Sequence, residues 1–418
     1  MGLKKKLRTL RSVYKDNGAI GLIVVGAEYL QKKSRRKAGS KNKLVIDTDA
    51  IYEDILHVDF TKPANAAWRP PSKKKSSLTI NWLMPPPGKG SGGHMTLWRF
   101  MKYFEEAGHV CRIYFHKPGP GSTVERVIDA MAGSFPELNA EMRWLQPGEE
   151  MESADVLFAT SWQSAYTVYN SSLPAKKFYF VQDFEPFFYP IGGLSTLAEN
   201  TYRMGLRGIT AGGWLEKKLH DEFGMTTTRF DFGSDDSTYK FENTGPRKEI
   251  VFYARPTTPR RAFEFGVAVL DLFHQKHPEY VINFIGWDVA DFNIPFPHKN
   301  LGILSRNELN EVYNRCAASL VMSLTNMSLL PLELLSAGCI PVVNDGPNNR
   351  LVSDNPYIAY CPSDPKSMAD KLSEIVTRKN PRKHAQAAAE SVRDCSWDES
   401  GKKVVSTVVA SYNSPGSA

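Results

Sequence analysis

The sequence has few cysteines, and they follow no pattern typical of a disulfide framework or a zinc site. The five cysteines among 418 residues are scattered, odd in number and include no C-x-x-C pair. This cysteine usage argues against a disulfide framework and against a structural zinc site, and it predicts a reducing compartment. The D-x-D triplet at 47–49 precedes the first predicted strand and is interpreted as a turn, so we expect no metal ligands.

The sequence also lacks an apolar run of membrane-spanning length. The run at 18–27 covers ten residues, whereas a spanning helix needs roughly 20. An apolar content of 42% and an aromatic content of 11% are typical of a globular protein. A chain of 418 residues is long enough for two domains.

Basic residues are concentrated at the amino terminus. Residues 1–43 contain thirteen Lys or Arg and two acidic residues, a charge of +11, which leaves −4 on the remainder of a chain whose net charge is +7. Nucleic-acid binding is not expected, because such proteins more often spread basic residues over a folded face. Two interpretations of 1–43 stay open: attachment to anionic lipid headgroups, or a basic helix that is solvated or packed on its own domain.

From residue 78 onward, apolar runs alternate with amphipathic stretches. The runs predict strands at 78–83, 111–115, 155–160 and 177–182 with short pieces at 208–210 and 229–232, then at 249–254, 280–286, 319–323 and 340–344. Buried runs alternating with helices are typical of parallel sheets. Two such cycles predict an α/β protein with two Rossmann-like domains facing a cleft.

The composition predicts four segments. We expect a basic extension and linker at 1–77, a Rossmann-like acceptor domain at 78–245 and a Rossmann-like donor domain at 246–397. The segment 398–418 is expected to return to the first domain.

Ligands of open α/β sheets bind where strands end and helices begin, and three such loops contain candidate residues. In the first (84–94), Gly92 and Gly93 allow a ligand close to the backbone, and His94 follows them. A helix beginning there favours an anion. The alternative is that these glycines only make a turn.

The second loop (253–266) contains Arg255, Arg260 and Arg261 at a strand end and helix start. Helix amino termini prefer acids, so a basic cluster there predicts an anion such as a diphosphate bound without metal. The alternative is a solvated basic turn.

The third loop (323–345) leads into a helix with Pro331 in its first turn and Glu333 close behind. Free N–H groups at Ser328, Leu329 and Leu330 are expected to bind a ligand phosphate, and the Glu333 carboxylate to accept hydrogen bonds from ribose hydroxyls. The alternative is that Glu333 only complements the helix dipole.

These segments, in this order, resemble the donor domain of family 4 retaining glycosyltransferases, which have the GT-B fold. The resemblance rests on Arg255, the pair Arg260/Arg261, FIGW at 284–287, AGCIPVV at 337–343 and SW at 396–397, with GGH at 92–94 in the first half. It implies a nucleotide-sugar donor and a ribose-binding role for Glu333. Arg261 is the better match for the basic position of the family.

One position departs from the family pattern. The family usually has two glutamates eight positions apart, and the earlier position here is Thr325, so Asn326 and Ser328 are considered as polar substitutes. With QDFEPFFYP at 182–190, the sequence resembles the rhamnan-synthesis rhamnosyltransferases. Asp183 and Glu185 in that segment are expected to face the cleft, where they would orient the acceptor hydroxyl or act as base.

The resemblance implies a metal-independent retaining transferase with no cofactor besides its co-substrate. The cysteine usage predicts a cytoplasmic location, and lipid attachment through 1–43 would place the protein on the inner face of the cell membrane. The resemblance also implies transfer of rhamnose from dTDP-rhamnose to a glycan or lipid-linked glycan acceptor of a surface polysaccharide. Arg255, Arg261 and Asp183 are the expected catalytic residues. The alternative is a catalytically inactive GT-B protein that binds glycans or acts as a scaffold.

Overall fold

The computed structural model describes residues 52–65, 68–88, 91–116, 123–131, 135–146 and 148–414. Every strand pair in these ranges is parallel, and the strands form two sheets. No helix within the same ranges is long and apolar enough to cross a membrane. The predicted basic extension at 1–43 and the D-x-D triplet lie outside the described residues.

The first sheet has seven strands in the order β3-β2-β1-β4-β5-β6-β7. Their bounds are β1 Thr79–Met84, β2 Val110–His116, β3 Glu141–Leu145, β4 Val156–Ala159, β5 Lys176–Val181, β6 Arg207–Ala211 and β7 Thr227–Phe230.

The second sheet has six strands in the order β10-β9-β8-β11-β12-β13. Their bounds are β8 Glu249–Tyr253, β9 Val281–Ile285, β10 Lys299–Gly302, β11 Cys316–Val321, β12 Ile340–Asn344 and β13 Ala359–Cys361.

Thirteen α-helices lie in the described ranges and connect or flank these strands. They are α1 Tyr52–Leu56, α2 Gly92–Glu106, α3 Val124–Met131, α4 Trp162–Asn170, α5 Gly193–Asn200, α6 Gly212–Phe223, α7 Phe263–Lys276, α8 Arg306–Arg315, α9 Leu330–Ser336, α10 Pro347–Arg350, α11 Pro365–Val376, α12 Pro381–Glu390 and α13 Trp397–Asn413.

The central strands are buried on both faces. All four residues of β4 are fully buried, as are all five of β12. Helices on both sides of a parallel sheet remove water from both faces, which is why these strands are continuous apolar runs rather than alternating ones. The predicted α/β architecture with two parallel sheets is confirmed.

Three edge strands were missed in the sequence: β3, β10 and β13. β3 (EMRWL) mixes charged and apolar residues, β10 (KNLG) is mostly polar, and β13 has only three residues. β3 and β10 each pair with one neighbour at a sheet edge and stay partly exposed. Strands that bury little surface need no apolar run, so the pattern that reveals central strands does not reveal these.

The strand order defines where ligands can bind. In each sheet the first two connections add strands on one side of the first strand, and the next strand is added on its other side. The strand order therefore reverses between β1 and β4 in the first sheet and between β8 and β11 in the second. Crevices at such switch points lie outside the carboxyl ends of the strands. The loops after β1, β8 and β11 are the three loops singled out in the sequence.

The last helix, α13, packs against the first sheet. The Tyr412 hydroxyl donates to Asp155 Oδ1 at 2.7 Å, and the Ser400 hydroxyl donates to the Asp231 carbonyl at 2.7 Å. Gly401 lies so close to Tyr103 of α2 that an added Cβ would be 2.4 Å from its ring. Helix α13 therefore contacts the first half of the chain, whereas the four predicted segment boundaries stay predictions.

Candidate active site

Asp183, two residues beyond β5, joins the two sheets at their carboxyl edges. Its Oδ2 accepts hydrogen bonds from Thr325 Oγ1 at 3.0 Å and Arg260 Nε at 3.2 Å, and its Oδ1 accepts from the Asn326 backbone N–H at 2.9 Å. The Phe184 N–H supplies a fourth bond, to Oδ1 at 2.9 Å. A carboxylate has about four acceptor sites, and donors occupy all four.

These four bonds engage the carboxylate that is expected to orient the acceptor hydroxyl or act as base, and that role stays a prediction. Every lone-pair direction of the carboxylate faces a protein donor, and its side chain is only 12% exposed. A substrate hydroxyl would have to displace one of these bonds. In this arrangement Asp183 holds the second-domain loop and Arg260 in place.

Asp183 faces the second domain as predicted, whereas the Glu185 carboxylate, contrary to the prediction, turns into the first domain. It is 6% exposed, and its carboxylate accepts from the Trp162 N–H at 2.8 Å and from the Tyr179 hydroxyl at 2.5 Å. Burial is the main cause that raises the Glu185 pKa to about 7. Glu185 lies inward because the chain turns into a short 3₁₀ segment, Glu185–Phe188, directly after Asp183, and its carboxylate binds the free amino end of α4.

The arginine loop after β8 is shaped by Pro259, which begins a 3₁₀ turn, Pro259–Arg261. The Arg260 carbonyl accepts from the Leu324 N–H at 3.0 Å, and its guanidinium lies 3.9 Å from the centre of the Phe188 ring. These contacts fix Arg260 between the β11 loop and the first domain. Arg260 is therefore engaged by protein groups on three sides.

Arg261 and Arg255 are less fully engaged. Arg261 Nη1 donates to Ser323 Oγ at 2.7 Å, and Arg255 Nη1 donates to the Gly286 carbonyl at 3.4 Å. Burial is the main cause that lowers the Arg261 pKa. Among the described residues neither arginine forms an ion pair. A desolvated cation without a carboxylate partner is stabilised by a bound anion.

The glycine loop begins α2, whose first residues are Gly92 and Gly93. A Cβ added at Gly92 would meet nothing within 4 Å, and one at Gly93 would face the Gln182 side chain at 3.6 Å. Space for a ligand is therefore present at Gly92, and the predicted role of both glycines stays a prediction.

His94 is held by its own loop. Its Nδ1 is 2.7 Å from Ser91 Oγ and its Nε2 is 2.9 Å from the Pro85 carbonyl oxygen. Burial lowers its pKa, against the opposing effect of the Pro85 carbonyl. A neutral imidazole that donates from Nε2 and accepts at Nδ1 satisfies both contacts. Both ring nitrogens are thus engaged, and donor binding through the ring would require a change of partner.

Asn326 is an interdomain contact rather than an exposed ligand group. Its amide donates to the Gln182 carbonyl at 3.1 Å and to the Ala211 carbonyl at 2.9 Å, and the residue is 2% exposed. The predicted polar substitute is therefore occupied by backbone acceptors of the first domain.

Ser328, Leu329 and Leu330 lie at the start of α9, partly exposed. The Leu330 N–H donates to Ser328 Oγ at 3.4 Å. Leu329 is the cap residue and Pro331 lies in the first turn, as the sequence indicated. Binding of a phosphate here stays a prediction.

Glu333 lies in the first turn of α9, partly buried. Burial is the main cause that raises its pKa to about 7, opposed by the positive charge of Arg306 and by the Tyr239 hydroxyl. Neither Tyr239 nor Arg306 is among the candidate residues predicted from the sequence.

Metal binding finds no structural support in the described ranges. No group of three or more His, Cys, Asp or Glu side chains there could hold a metal ion. Metal independence stays a prediction.

Comparison with known proteins adds the following findings. Residues 248–373 match the family model of the WsaF C-terminal domain. Over 343 residues the chain is 29% identical to the O-antigen biosynthesis protein RfbC of Myxococcus xanthus, which covers 78% of this chain and 26% of that protein. The chain thus spans about a quarter of this curated relative.

Two solved structures are similar in fold. Anabaena HepE in complex with UDP and glucose has a TM-score of 0.59 at 12% identity, covering 80% of this chain and 100% of that chain. TarM has a TM-score of 0.63 at 10% identity, covering 81% and 99%. These similarities establish the GT-B fold for this chain, as the sequence resemblance implied.

Proposed function

We propose that this chain is a retaining, metal-independent glycosyltransferase of polysaccharide biosynthesis, and that its donor is dTDP-rhamnose. One observation carries the proposal. Arg255 and Arg261 follow the carboxyl end of β8, at the switch point of the second sheet, and neither forms an ion pair with another described residue. The match to the WsaF C-terminal domain covers this donor region, and the similar RfbC is described as an O-antigen biosynthesis protein.

The proposed reaction breaks the bond between the anomeric carbon and the diphosphate oxygen and forms a bond to the acceptor oxygen on the same face of the sugar. Negative charge develops on the departing diphosphate, and Arg255, Arg261 and the start of α9 are the groups we assign to stabilise it. Each such donor is worth about 2.7–4 kcal/mol, by analogy with an oxyanion-hole donor.

The proton of the acceptor hydroxyl passes, in this proposal, to an oxygen of the departing diphosphate. Asp183 is unsuited to take it, because its carboxylate already accepts four hydrogen bonds. Asp183 contributes by holding Arg260 and the β11 loop against the first domain.

Glu333 is assigned to the ribose of the nucleotide. Its carboxylate lies near the start of α9 and beside Tyr239. A carboxylate accepts both hydroxyls of a ribose, but the deoxyribose of dTDP offers only one at this point. UDP is therefore a serious competitor, and HepE was solved with UDP and glucose.

The chief rival is a GT-B protein that binds glycans without catalysis. Thr325, where the resemblance leads us to expect a glutamate, favours this rival. The two arginines without ion pairs oppose it, because a scaffold has no use for a buried diphosphate site. Binding of a nucleotide diphosphate therefore separates the two.

Binding to an anionic membrane through residues 1–43 is part of the proposal. Their charge of +11 is sufficient for attraction to acidic lipid. Flotation with vesicles of phosphatidylcholine alone or with phosphatidylserine, comparing the full chain with a variant lacking 1–43, tests it. Equal flotation of both proteins with the acidic vesicles would contradict it.

The test of the function itself is a thermal-shift titration of the purified chain with dTDP, UDP, GDP and ADP, with and without EDTA. A ligand of the folded state adds about 2.7 kcal/mol of stability at a hundred times its dissociation constant. We expect a shift with dTDP that EDTA leaves unchanged and that Glu333→Ala abolishes. A larger shift with UDP would replace rhamnose by a UDP-linked sugar, and no shift with any nucleotide would favour the scaffold.

A further inference from the structure

Ser323 lies two residues beyond β11, at the carboxyl edge of the second sheet, and is fully buried. Its Oγ accepts a hydrogen bond from Arg261 Nη1 at 2.7 Å and donates to the Asn326 carbonyl at 3.0 Å. Among the described residues, the bond to Ser323 is the only hydrogen bond that the Arg261 side chain forms. A guanidinium has five N–H donors, so this bond leaves most of them available to a ligand.

Three asparagines hold the backbone of Ser323. The Asn344 side chain exchanges two hydrogen bonds with it: Oδ1 accepts from the Ser323 N–H at 2.8 Å, and Nδ2 donates to the Ser323 carbonyl at 2.9 Å. Asn348 Nδ2 and Asn349 Nδ2 donate to the same carbonyl at 3.0 Å and 3.2 Å. Since Asn344 ends β12, which pairs with β11, its amide continues the contact between the two strands beyond their backbone pairing.

Two of these asparagines are themselves buried and paired. Asn344 is 3% exposed and Asn349 is fully buried, and Asn349 Nδ2 also donates to the Asn344 carbonyl at 2.6 Å. Burying an amide is unfavourable unless it is hydrogen-bonded, so these side chains are held in the orientation that pairs them. The Ser323 hydroxyl therefore projects from a backbone whose N–H and carbonyl are both fixed by the second domain.

Arg261 comes to this serine from another segment of the chain. It ends the 3₁₀ turn Pro259–Arg261, and its backbone N–H donates to the Thr258 carbonyl at 2.8 Å. The turn fixes the base of the side chain, but an arginine side chain has many rotamers and loses much entropy when it is ordered. The hydrogen bond from Nη1 to Ser323 fixes the far end, where the ligand is expected.

We propose, on the premise of the function given above, that Ser323 is a positioning residue for Arg261 in the diphosphate site. Its hydroxyl engages one N–H group of the guanidinium and so directs the remaining donors before the ligand binds. Preorganisation of this kind increases affinity, because less side-chain freedom is lost on binding. Ser323 itself need not touch the nucleotide.

The alternative is that Ser323 serves only the loop after β11. Its hydroxyl also bonds to the Asn326 carbonyl, and the Asn326 amide donates to the carbonyls of Gln182 and Ala211 in the first domain. A serine that only held this loop would affect every ligand of the cleft when it is removed. A serine that acts through Arg261 affects the ligands that reach this arginine, which are the diphosphates.

The experiment compares diphosphates with monophosphates. Calorimetry measures the dissociation constants of UDP and UMP, and of dTDP and dTMP, for the full chain and its variants. In Ser323→Ala we expect affinity for both diphosphates to fall about tenfold, because a hydrogen bond to a charged group is lost, and affinity for both monophosphates to stay unchanged. Ser323→Thr keeps the hydroxyl and should keep the preference for diphosphates.

A double-mutant cycle tests whether the serine acts through the arginine. Residues that act as one unit show non-additive effects. In a protein that already contains Arg261→Ala, Ser323→Ala should therefore cause no further loss of diphosphate affinity. A loss as large as in the wild-type background would overturn the proposal.

Ser336→Ala is the matched control. Ser336 is a serine of the same domain, 6% exposed, whose hydroxyl donates to the Leu332 carbonyl at 2.9 Å. The substitution removes a buried hydroxyl of the same kind without removing a partner of Arg261. It should leave the ratio of diphosphate to monophosphate affinity at the wild-type value.

A folded Ser323→Ala protein with the wild-type ratio of diphosphate to monophosphate affinity would also overturn the proposal. Should this variant fail to fold, Ser323→Cys serves instead: its thiol has a similar shape but is a weak acceptor, so the ratio should fall, and an unchanged ratio would overturn the proposal. A wild-type protein that binds neither UDP nor dTDP would contradict the proposed function and not this inference alone.

Discussion

The Thr325 hydroxyl donates a 3.0 Å hydrogen bond to Asp183 Oδ2, across the boundary between the two sheets. Thr325 is 1% exposed and occupies the position where the resemblance leads us to expect a glutamate. A carboxylate from the other domain lies against it. The position where a glutamate is expected therefore forms, as Thr325, a hydrogen bond between the two domains.

Removing the Thr325 hydroxyl should weaken the contact between the two domains. Thr325→Val keeps the shape and leaves one acceptor site of Asp183 unfilled, whereas Thr325→Ser keeps the bond. Since a hydrogen bond to a charged group contributes about 1.5–3 kcal/mol, we expect kcat/KM to fall about tenfold or more in the valine variant. Steady-state kinetics of both variants checks this, and equal loss in the two would contradict it.

Arg261 should be required for the chemical step more than for folding. Arg261→Ala removes a half-buried cation that donates to Ser323 Oγ. By analogy with the loss of an oxyanion-hole donor, kcat should fall about 10²–10³-fold. Arg261→Lys should be faster than Arg261→Ala but slower than wild type, because lysine restores the positive charge but not the paired N–H donors of the guanidinium. A thermal midpoint lowered in proportion to the rate would instead assign Arg261 to stability.

Glu185 should make the protein less stable in alkaline solution. Burial raises its pKa to about 7 in the folded state from an ordinary value of 4.5. The folded form then binds the proton more tightly than the unfolded form. The resulting contribution to the free energy of unfolding is complete below pH 4.5 and is lost as pH rises through 7, a loss of up to about 3 kcal/mol. Glu185→Gln mimics the protonated acid and should raise the thermal midpoint relative to wild type at pH 8 but not at pH 5. An equal difference at both pH values would contradict this assignment.

Gly266 is needed for close packing of α7 on β8. A Cβ there would lie 2.2 Å from Cζ of Phe252, a ring that is 1% exposed. Alanine in a helix normally stabilises by about 0.5–1 kcal/mol relative to glycine, but overpacking costs about 1–3 kcal/mol, so the clash should win. Urea unfolding should show Gly266→Ala destabilised. The control Gly193→Ala, which meets nothing within 4 Å, should be neutral or slightly stabilised.

Transfer should not depend on a divalent metal. The proposed diphosphate site uses Arg255 and Arg261 as its cations, each placed by contacts to protein groups. Donor turnover after dialysis against EDTA should therefore equal turnover with added Mg²⁺ or Mn²⁺. Activity that returns only with metal would show that the arginines are insufficient.

The sequence by itself determined the architecture. Buried parallel strands require continuous apolar runs, because helices exclude water from both faces of the sheet. Such runs are recognisable in the amino-acid sequence at β1, β4, β8 and β11. The order of the loops then placed Arg255, Arg261 and Glu333 at strand ends, where ligands of such sheets bind.

Only the tertiary structure decided where the Asp183 and Glu185 carboxylates lie and what they bind. Asp183 and Glu185 are two residues apart in sequence, yet one joins the two domains and the other is buried against α4. The hydrogen-bond partners of the Asp183 carboxylate are 77 to 143 positions away, apart from its neighbour Phe184. A carboxylate takes its role from the donors and the burial around it, and these are set by chain segments that meet only when the protein folds.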